Sequence, residues 1–465
     1  MRRKKIKDRW QIAAISAISR RHFTGGETAR GAGVDIGRYR WAGELNLSAE
    51  ERKTFRFILA AASFTGLVEG LILLMPEVAR NTLAADKTYI SILTLMGATT
   101  QLLATYWSDY LDGLPDKSRT VLLAGFFGRY GLVFGALFSR IEYILPFYLL
   151  FVMTTPAVLA AQHSVVQANF RAAIRGKLYS YVVRIQMFFS LSAAVVAGFW
   201  LDANPQNYRW ILMLAALGGF FEAFILSRAT IAHPLPEVYA RAQAMGDRGA
   251  VRRLIRPWRL LGRLFREDRQ FFLFEVNFFI YGLGFMVMLP FLTLFFVNDL
   301  KLAYSQISLA KGAILQGAVI LLAPWMGRLF DRQNPILYTS YVCLMIAVFP
   351  AMLVATALAQ PAHPEWMIYI AYGLFSVGWT GLIIAWNLGA MFFAKSRDVS
   401  RYTGAHVTMV GLRGLLVLFV SAWLINVITP VTAFAVCLAC WLLASLMLFL
   451  QWHRFYTKPL GEPGR

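Results

Sequence analysis

Six stretches of this chain run about twenty residues or more without one Asp, Glu, Lys or Arg: residues 88–107, 143–170, 276–298, 333–364, 366–394 and 414–453. About 20 mostly apolar residues form a helix long enough to cross the hydrocarbon of a bilayer. Inside lipid the backbone has no water to bond, so such runs must satisfy their own N–H and C=O groups as helices. The last run is too long for one crossing and breaks at Asn426–Pro430. Composition agrees with a chain that lives in lipid: 58% of the 465 residues are hydrophobic and 15% are charged. A soluble domain is about 45–50% apolar and about 25% charged. A disordered chain, a coiled coil and a disulfide-knit scaffold are excluded. The three cysteines, Cys343, Cys437 and Cys440, lie in apolar runs. The C-x-x-C of the last two has no second ligand pair nearby and reads as small lipid-compatible residues, with no metal or redox role.

Segments with one or two embedded charges complete a set of twelve predicted helices. They lie near residues 54–79, 87–107, 120–139, 143–167, 177–201, 208–228, 271–297, 304–326, 335–358, 366–393, 403–427 and 430–452. An even number puts both termini on one side. Cytoplasmic loops collect Lys and Arg. With the termini inside, 36 of the 46 basic residues fall in cytoplasmic segments and five fall outside: Arg80, Lys87, Arg140, Arg209 and Lys301. The expectation is a multi-pass protein of a plasma membrane or bacterial inner membrane with both termini cytoplasmic. A net charge of +21 on a soluble chain would suggest nucleic acid. Here it is spread over short loops, and no nucleic-acid partner is expected.

Residues 1–53 form a basic cytoplasmic segment too weakly apolar to span. Ser48 with Glu51 is a predicted capping box that opens the first helix. Residues 229–270 form a long linker. Within 251–265, Leu254, Trp258, Leu261, Leu264 and Phe265 share one face, with Arg252, Arg256, Arg259, Arg263 and Arg266 elsewhere. That pattern predicts a basic amphipathic helix in the cytoplasmic interface, against membrane lipids. The linker separates two six-helix bundles, 54–228 and 271–452, and a tail, 453–465, follows. The halves share weak marks: an Arg in the fifth helix of each (Arg184, Arg413) and a Trp-Leu pair near its end. A 6+6 duplication is a frequent layout of secondary transporters.

Between the eighth and ninth predicted helices the chain reads Gly327-Arg328-Leu329-Phe330-Asp331-Arg332-Gln333-Asn334-Pro335. This resembles the G-x-x-x-D-R-x-G-R/K loop of the major facilitator superfamily. Gly327, Asp331 and Arg332 match, while Asn334 and Pro335 replace the later Gly and basic residue. In the first half, Asp116-Lys117-Ser118-Arg119 resembles the core of the same motif, with Asp112 where the Gly should be. The resemblance implies an all-α membrane fold of two six-helix halves that alternate access to a midplane site. It names no substrate, and the fifth helix lacks the Gly-Pro signature common in drug/proton antiporters. It implies that Asp331 faces the start of the fifth helix, near Arg175-Gly176-Lys177. The physics of the motif stands apart from the name. Gly lets helices approach, an Asp complements a helix N-terminus, and an Arg binds carbonyls or a carboxylate. Gly327, Asp331, Arg332 and Asp116 are therefore the expected gating set, engaged when the cytoplasmic side closes.

A charge at the bilayer centre costs about 2.5–3.5 kcal/mol even on permissive scales, so intramembrane ions are functional candidates. Glu77 lies near the outer end of the first helix, where it could reach water, and Glu275 near the inner end of the seventh. Arg184 and Glu222 sit at similar depth on consecutive helices and are expected to form a structural ion pair. Arg129 is expected to brace Glu69 or backbone carbonyls. Glu69, near the midplane, is the candidate for proton coupling. Arg413 with Lys311 would neutralise an anionic substrate, or Arg413 would gate against Glu69. Tyr281, Trp379, Asn387 and His163 are further lining candidates, each also explicable by helix packing.

No G-x-x-x-x-G-K-[ST] occurs, so transport driven by ATP bound to this chain is not expected. No H-E-x-x-H or G-x-S-x-G is present, and neither an enzyme activity nor a cofactor is expected. The leading reading is a secondary transporter of a small solute, anionic if Arg413 and Lys311 bind it, coupled to protons or another ion. A transporter-like receptor or regulator is the alternative. A membrane-embedded lipid-handling enzyme, with His163 or His406 as base, is a more distant one.

Overall fold

The charge-free runs become helices, and every regular element among the described residues is helical. The computed structural model describes residues 47–112, 114, 118–229, 250–394 and 399–456. The basic segment before residue 47, Asp116, the linker from 230 to 249 and the tail after 456 lie outside them. Helix α1 (Ala49–Ile72) opens on the expected capping box. The Glu51 N–H donates to Ser48 Oγ at 3.1 Å and the Ser48 N–H to Glu51 Oε2 at 2.9 Å. A two-residue turn before Pro76 separates α1 from α2 (Met75–Asn81).

There follow α3 (Lys87–Thr100), α4 (Leu102–Asp112), α5 (Ser118–Gly135), α6 (Ile141–Asn169), α7 (Ala172–Ala203) and α8 (Tyr208–Ser227). After the linker come α9 (Ala250–Glu267), α10 (Arg269–Leu294), α11 (Tyr304–Ser308), α12 (Leu315–Arg332), α13 (Pro335–Ile346), α14 (Val348–Ala359), α15 (Pro364–Ala394), α16 (Val399–Leu424) and α17 (Pro430–Tyr456). Wider π turns extend α10 through Phe295–Asp299 and join α11 to α12 through Leu309–Ile314. Ten helical segments among the described residues are long and apolar enough to cross a membrane. The other two expected crossings are shorter. The run 87–107 breaks at Gln101 into α3 and α4, and α5 is an 18-residue helix that contains Arg119 and Arg129.

Most of helices α1–α8 pack on one another, as do most of α10–α17, while α3 and α16 pack chiefly on each other across the two groups. In the first group α1 lies along α7 and α8, and α5 along α6 and α8. Lipid supplies no hydrophobic drive between helices, so small residues that admit close backbone contact decide the packing. A Cβ on Gly66 of α1 would overlap the carbonyl oxygen of Gln186 on α7. In the second group α10 lies along α17, and α12 and α13 flank α15. Its interior is aromatic: Phe375 and Trp441 stack at 6.2 Å, and Phe285 and Trp379 approach to 5.3 Å. Leu321, Leu358 and Phe419 stand exposed, as side chains facing lipid tails should.

The end where α1, α7, α10 and α16 begin carries most of the basic residues and is here termed the basic end. Helix α9 lies there. Leu261 and Leu264 of its expected apolar face are buried against the bundle and Arg259 and Arg263 are exposed, but Trp258, expected on the same apolar face, is exposed as well.

Candidate functional site

The two helix groups are joined by polar contacts at the end opposite the basic one. Lys311 Nζ lies 2.6 Å from Glu77 Oε1, and Thr293 Oγ1 donates to the same oxygen at 3.0 Å. The Glu77 side chain is fully buried. The backbone N–H groups of Tyr304 and Ser305, at the start of α11, donate to the Asp202 carboxylate at 2.8 and 3.0 Å. Thr82 and Tyr304 share a 2.6 Å hydrogen bond, and Arg80 Nε donates to Asn298 at 3.0 Å. Each contact pairs a residue of α1–α8 with one of the second group. They are charge-assisted or buried, so this end is closed in a defined geometry. The sequence reading of Glu77 as an acid reaching water is corrected: it is the buried centre of this closure.

Glu69 lies eight residues before Glu77, on α1 and on the basic-end side of the turn that separates the two helices. Its side chain is exposed. Gln186 Nε2, on α7, donates to both of its oxygens at 2.9 Å. The same helix α7 meets the second group further along, where a Cβ on Gly312 would come within 2.9 Å of the Ala194 Cβ. Glu69 and Gln186 thus form an open polar pair on the basic-end side of the closed contacts.

The expected ion pair of Arg184 with Glu222 is not formed. Glu222 Oε2 takes Arg129 Nη2 at 3.2 Å, and both side chains are buried. Thr65 Oγ1 donates to Glu222 Oε1 at 2.8 Å. Arg129 Nη1 also donates to Thr155 Oγ1 at 2.9 Å and to the Phe151 carbonyl at 3.2 Å. Gly219 makes room, because a Cβ there would sit 2.6 Å from Arg129 Cγ. Arg129 therefore braces a carbonyl, as expected, but its acid is Glu222 and not Glu69. Arg184 is exposed beside the Tyr181 ring of its own helix, 5.8 Å from the centroid. Similar depth misled the sequence reading; burial of a charge requires a partner of opposite sign on a facing side, and only Arg129 supplies it.

Nor are Arg413 and Lys311 brought together. The Arg413 guanidinium lies against Gly282, where a Cβ would overlap it, and Nη1 donates to the Phe278 carbonyl at 2.6 Å. Lys311 lies 5.8 Å from the Phe296 ring. Gly282 and Phe296 are separated by about 21 Å along α10 and its extension. Tyr281 is buried in the aromatic interior, where Trp441 Nε1 donates to its carbonyl at 3.0 Å. Trp379 packs on Phe285 and Phe375, and Asn387 bonds back to the Ile383 carbonyl of its own helix. His163 is exposed near the basic end of α6.

Asp331 and Arg332 are exposed and form no ion pair among the described residues, and a Cβ on Gly327 would meet nothing within 4 Å. One further cluster escaped the sequence reading. His406 Nδ1 lies 2.9 Å from Glu275 Oε1, with both side chains buried. The two lie at similar depth near the starts of α10 and α16, but 131 positions apart in the chain, and no spacing announces the pair.

The family model described as Major Facilitator Superfamily matches residues 57–418. None of the curated proteins matches the chain. Among solved structures, the chain is similar to the nucleoside transporter NupG (D323A mutant), at 12% identity and a TM-score of 0.63, covering 86% of this chain and 99% of that one. It is similar to a POT family transporter in complex with 5-aminolevulinic acid, at 12% identity and a TM-score of 0.65, covering 87% and 96%. It is also similar to the xylose transporter XylE from E. coli in a partially occluded inward-open conformation, at 13% identity and a TM-score of 0.60, covering 90% and 100%. At these identities the likeness is one of fold. With more than half of its length matched by the family model, the chain belongs to the Major Facilitator Superfamily.

Proposed function

We propose that this transporter carries a small solute by alternating access between two six-helix halves, driven by a proton gradient, with the basic end in the cytoplasm. The observation that supports it best is an asymmetry. The Glu77–Lys311 pair and the Asp202 contacts seal one end, while Glu69 with Gln186 stands open nearer the other. A closed end and an open end around a midplane polar pair are what one state of a rocking carrier requires.

Glu69 and Gln186 are the proposed substrate contacts. Both cations considered for an anionic substrate are engaged in this state, Lys311 by Glu77 and Arg413 by a carbonyl. An open carboxylate favours a solute that presents hydrogen-bond donors, such as an amine or a hydroxyl-rich group. Asp331 and Arg332, free at the open end, are proposed to dock when that end closes.

Thermal unfolding of the purified protein against a panel of amines, sugars and nucleosides tests the binding step, because a ligand of the folded state raises the midpoint. A hit should lose its effect in Glu69→Gln. A hit that stabilises that variant equally places the solute elsewhere. Radiolabelled uptake of the hit into proteoliposomes then separates a carrier from a receptor, which would bind without accumulation.

A further inference from the structure

We propose that His406 is the proton-binding group of this carrier, held by Glu275 and charge-balanced with Arg413. The inference rests on the proton-driven reading above and moves the coupling group from Glu69 in the first half to the second.

His406 is 3% exposed and Glu275 2%. Their contact uses Nδ1 of the imidazole, while the buried Nε2 has no hydrogen-bond partner. A neutral imidazole has one N–H donor and one acceptor nitrogen; an imidazolium has two donors. With Nδ1–H given to Glu275, a proton on Nε2 would create a buried donor with nothing to receive it. That arrangement is unfavourable for a charged group in particular.

The titratable and charged groups around it come from the helices packed on α16. From α10 comes Glu275, and Tyr281 further along; from α16 itself come Arg413, two turns on, and Tyr402, one turn back. Glu275 acts electrostatically on Arg413. Between α9 and α10, Asp268 accepts the Tyr402 hydroxyl at 3.1 Å. Helix α9 carries Arg259, Arg263, Arg266 and Glu267, and α4 carries Tyr106, Asp109, Tyr110 and Asp112. Helix α15 brings Trp386, whose ring lies 5.6 Å from the imidazole. Glu275 is the carboxylate in contact with the ring, and Arg413 shares it with His406.

What could change this is movement of α16. It carries His406 and Arg413 toward α10, and on another side Gly414 and Gly411 toward the first group. A Cβ on Gly414 would come within 2.7 Å of the Ala98 backbone. Rocking of the halves acts on α16 through that backbone contact, and so on the surroundings of Nε2. A state that offers Nε2 an acceptor binds the proton, and the present one releases it. This is the linkage that coupling needs: the two states differ in proton occupancy.

The test uses spin labels at Lys53→Cys and Arg328→Cys, exposed positions at the basic end of the two groups, with Cys343, Cys437 and Cys440 replaced by Ala. Distance distributions in proteoliposomes are recorded from pH 5 to pH 9. The expected result is a long distance at high pH and a shorter one at low pH, with the ratio changing by up to about tenfold per pH unit for one linked proton. In His406→Gln the ratio should be independent of pH, while Arg184→Gln, at an exposed position outside the site, should titrate as the parent does. Should His406→Gln fail to fold, Glu275→Gln serves, and a displaced titration is expected. A parent distribution that ignores pH overturns the proton-driven reading itself. A parent that titrates alongside a His406→Gln or Glu275→Gln that titrates identically overturns the assignment of the site.

Discussion

Glu77 on α2 and Lys311 in the turn before α12 form a 2.6 Å ion pair that joins the two helix groups, with Glu77 fully buried. Removing one partner of a buried pair costs about 3–5 kcal/mol because the other charge is left without compensation. Lys311→Met should therefore open this end and raise the labelling rate of a Cys at Thr82 by an impermeant thiol reagent. Replacing both partners by Met should bring the rate most of the way back. Unchanged labelling in Lys311→Met would mean that the pair does not hold the end closed.

Stability should separate Arg129 from Arg184. Glu222→Gln leaves the buried Arg129 guanidinium with neutral partners alone, Thr155 and the Phe151 carbonyl among them, and should cost about 3–5 kcal/mol. Arg184→Gln, at an exposed site, should stay within about 0.5 kcal/mol. Denaturation midpoints of the two purified variants check this; equal midpoints would contradict the pairing.

Asp331→Asn should slow transport and leave ligand binding largely intact. The residue is exposed at the basic end, remote from Glu69, and its proposed contact forms only on closure. Normal uptake at both limiting and saturating solute would show that the loop motif does not gate.

Topology is checked by an impermeant thiol reagent on intact cells. A Cys at Gly262, exposed on α9, should be protected, and a Cys at Gln206, exposed in the turn before α8, should react. The opposite pattern would invert the assignment of the basic end.

Much of the fold was legible because the runs that form α6, α10, α13–α15 and α17 are apolar and nearly free of charge. Lipid converts such runs into helices regardless of tertiary context. The break at Gln101 was not legible, since residues 88–107 carry no charge and no Pro to mark it. The site was legible in kind but not in partnership. Sequence flags Glu69, Glu77, Arg129, Arg184, Glu222, Glu275, Lys311 and Arg413 as costly ions, yet pairing depends on which sides of which helices meet. Arg129 and Glu222 find each other because Gly219 opens a slot, and Glu77 finds Lys311 because α2 turns after Leu74. Neither relation has a periodicity that a linear reading could detect.

Cross-linking of the sealed end tests alternating access most directly. Arg80→Cys and Asn298→Cys, whose native side chains bond at 3.0 Å across the two groups, can be bridged by a short bifunctional thiol reagent. For a solute identified by thermal stabilisation, the bridged protein in proteoliposomes should still bind from the basic-end side but carry none across, and each single-Cys control should transport after the same treatment. Transport that continues through a fully bridged protein would contradict the account.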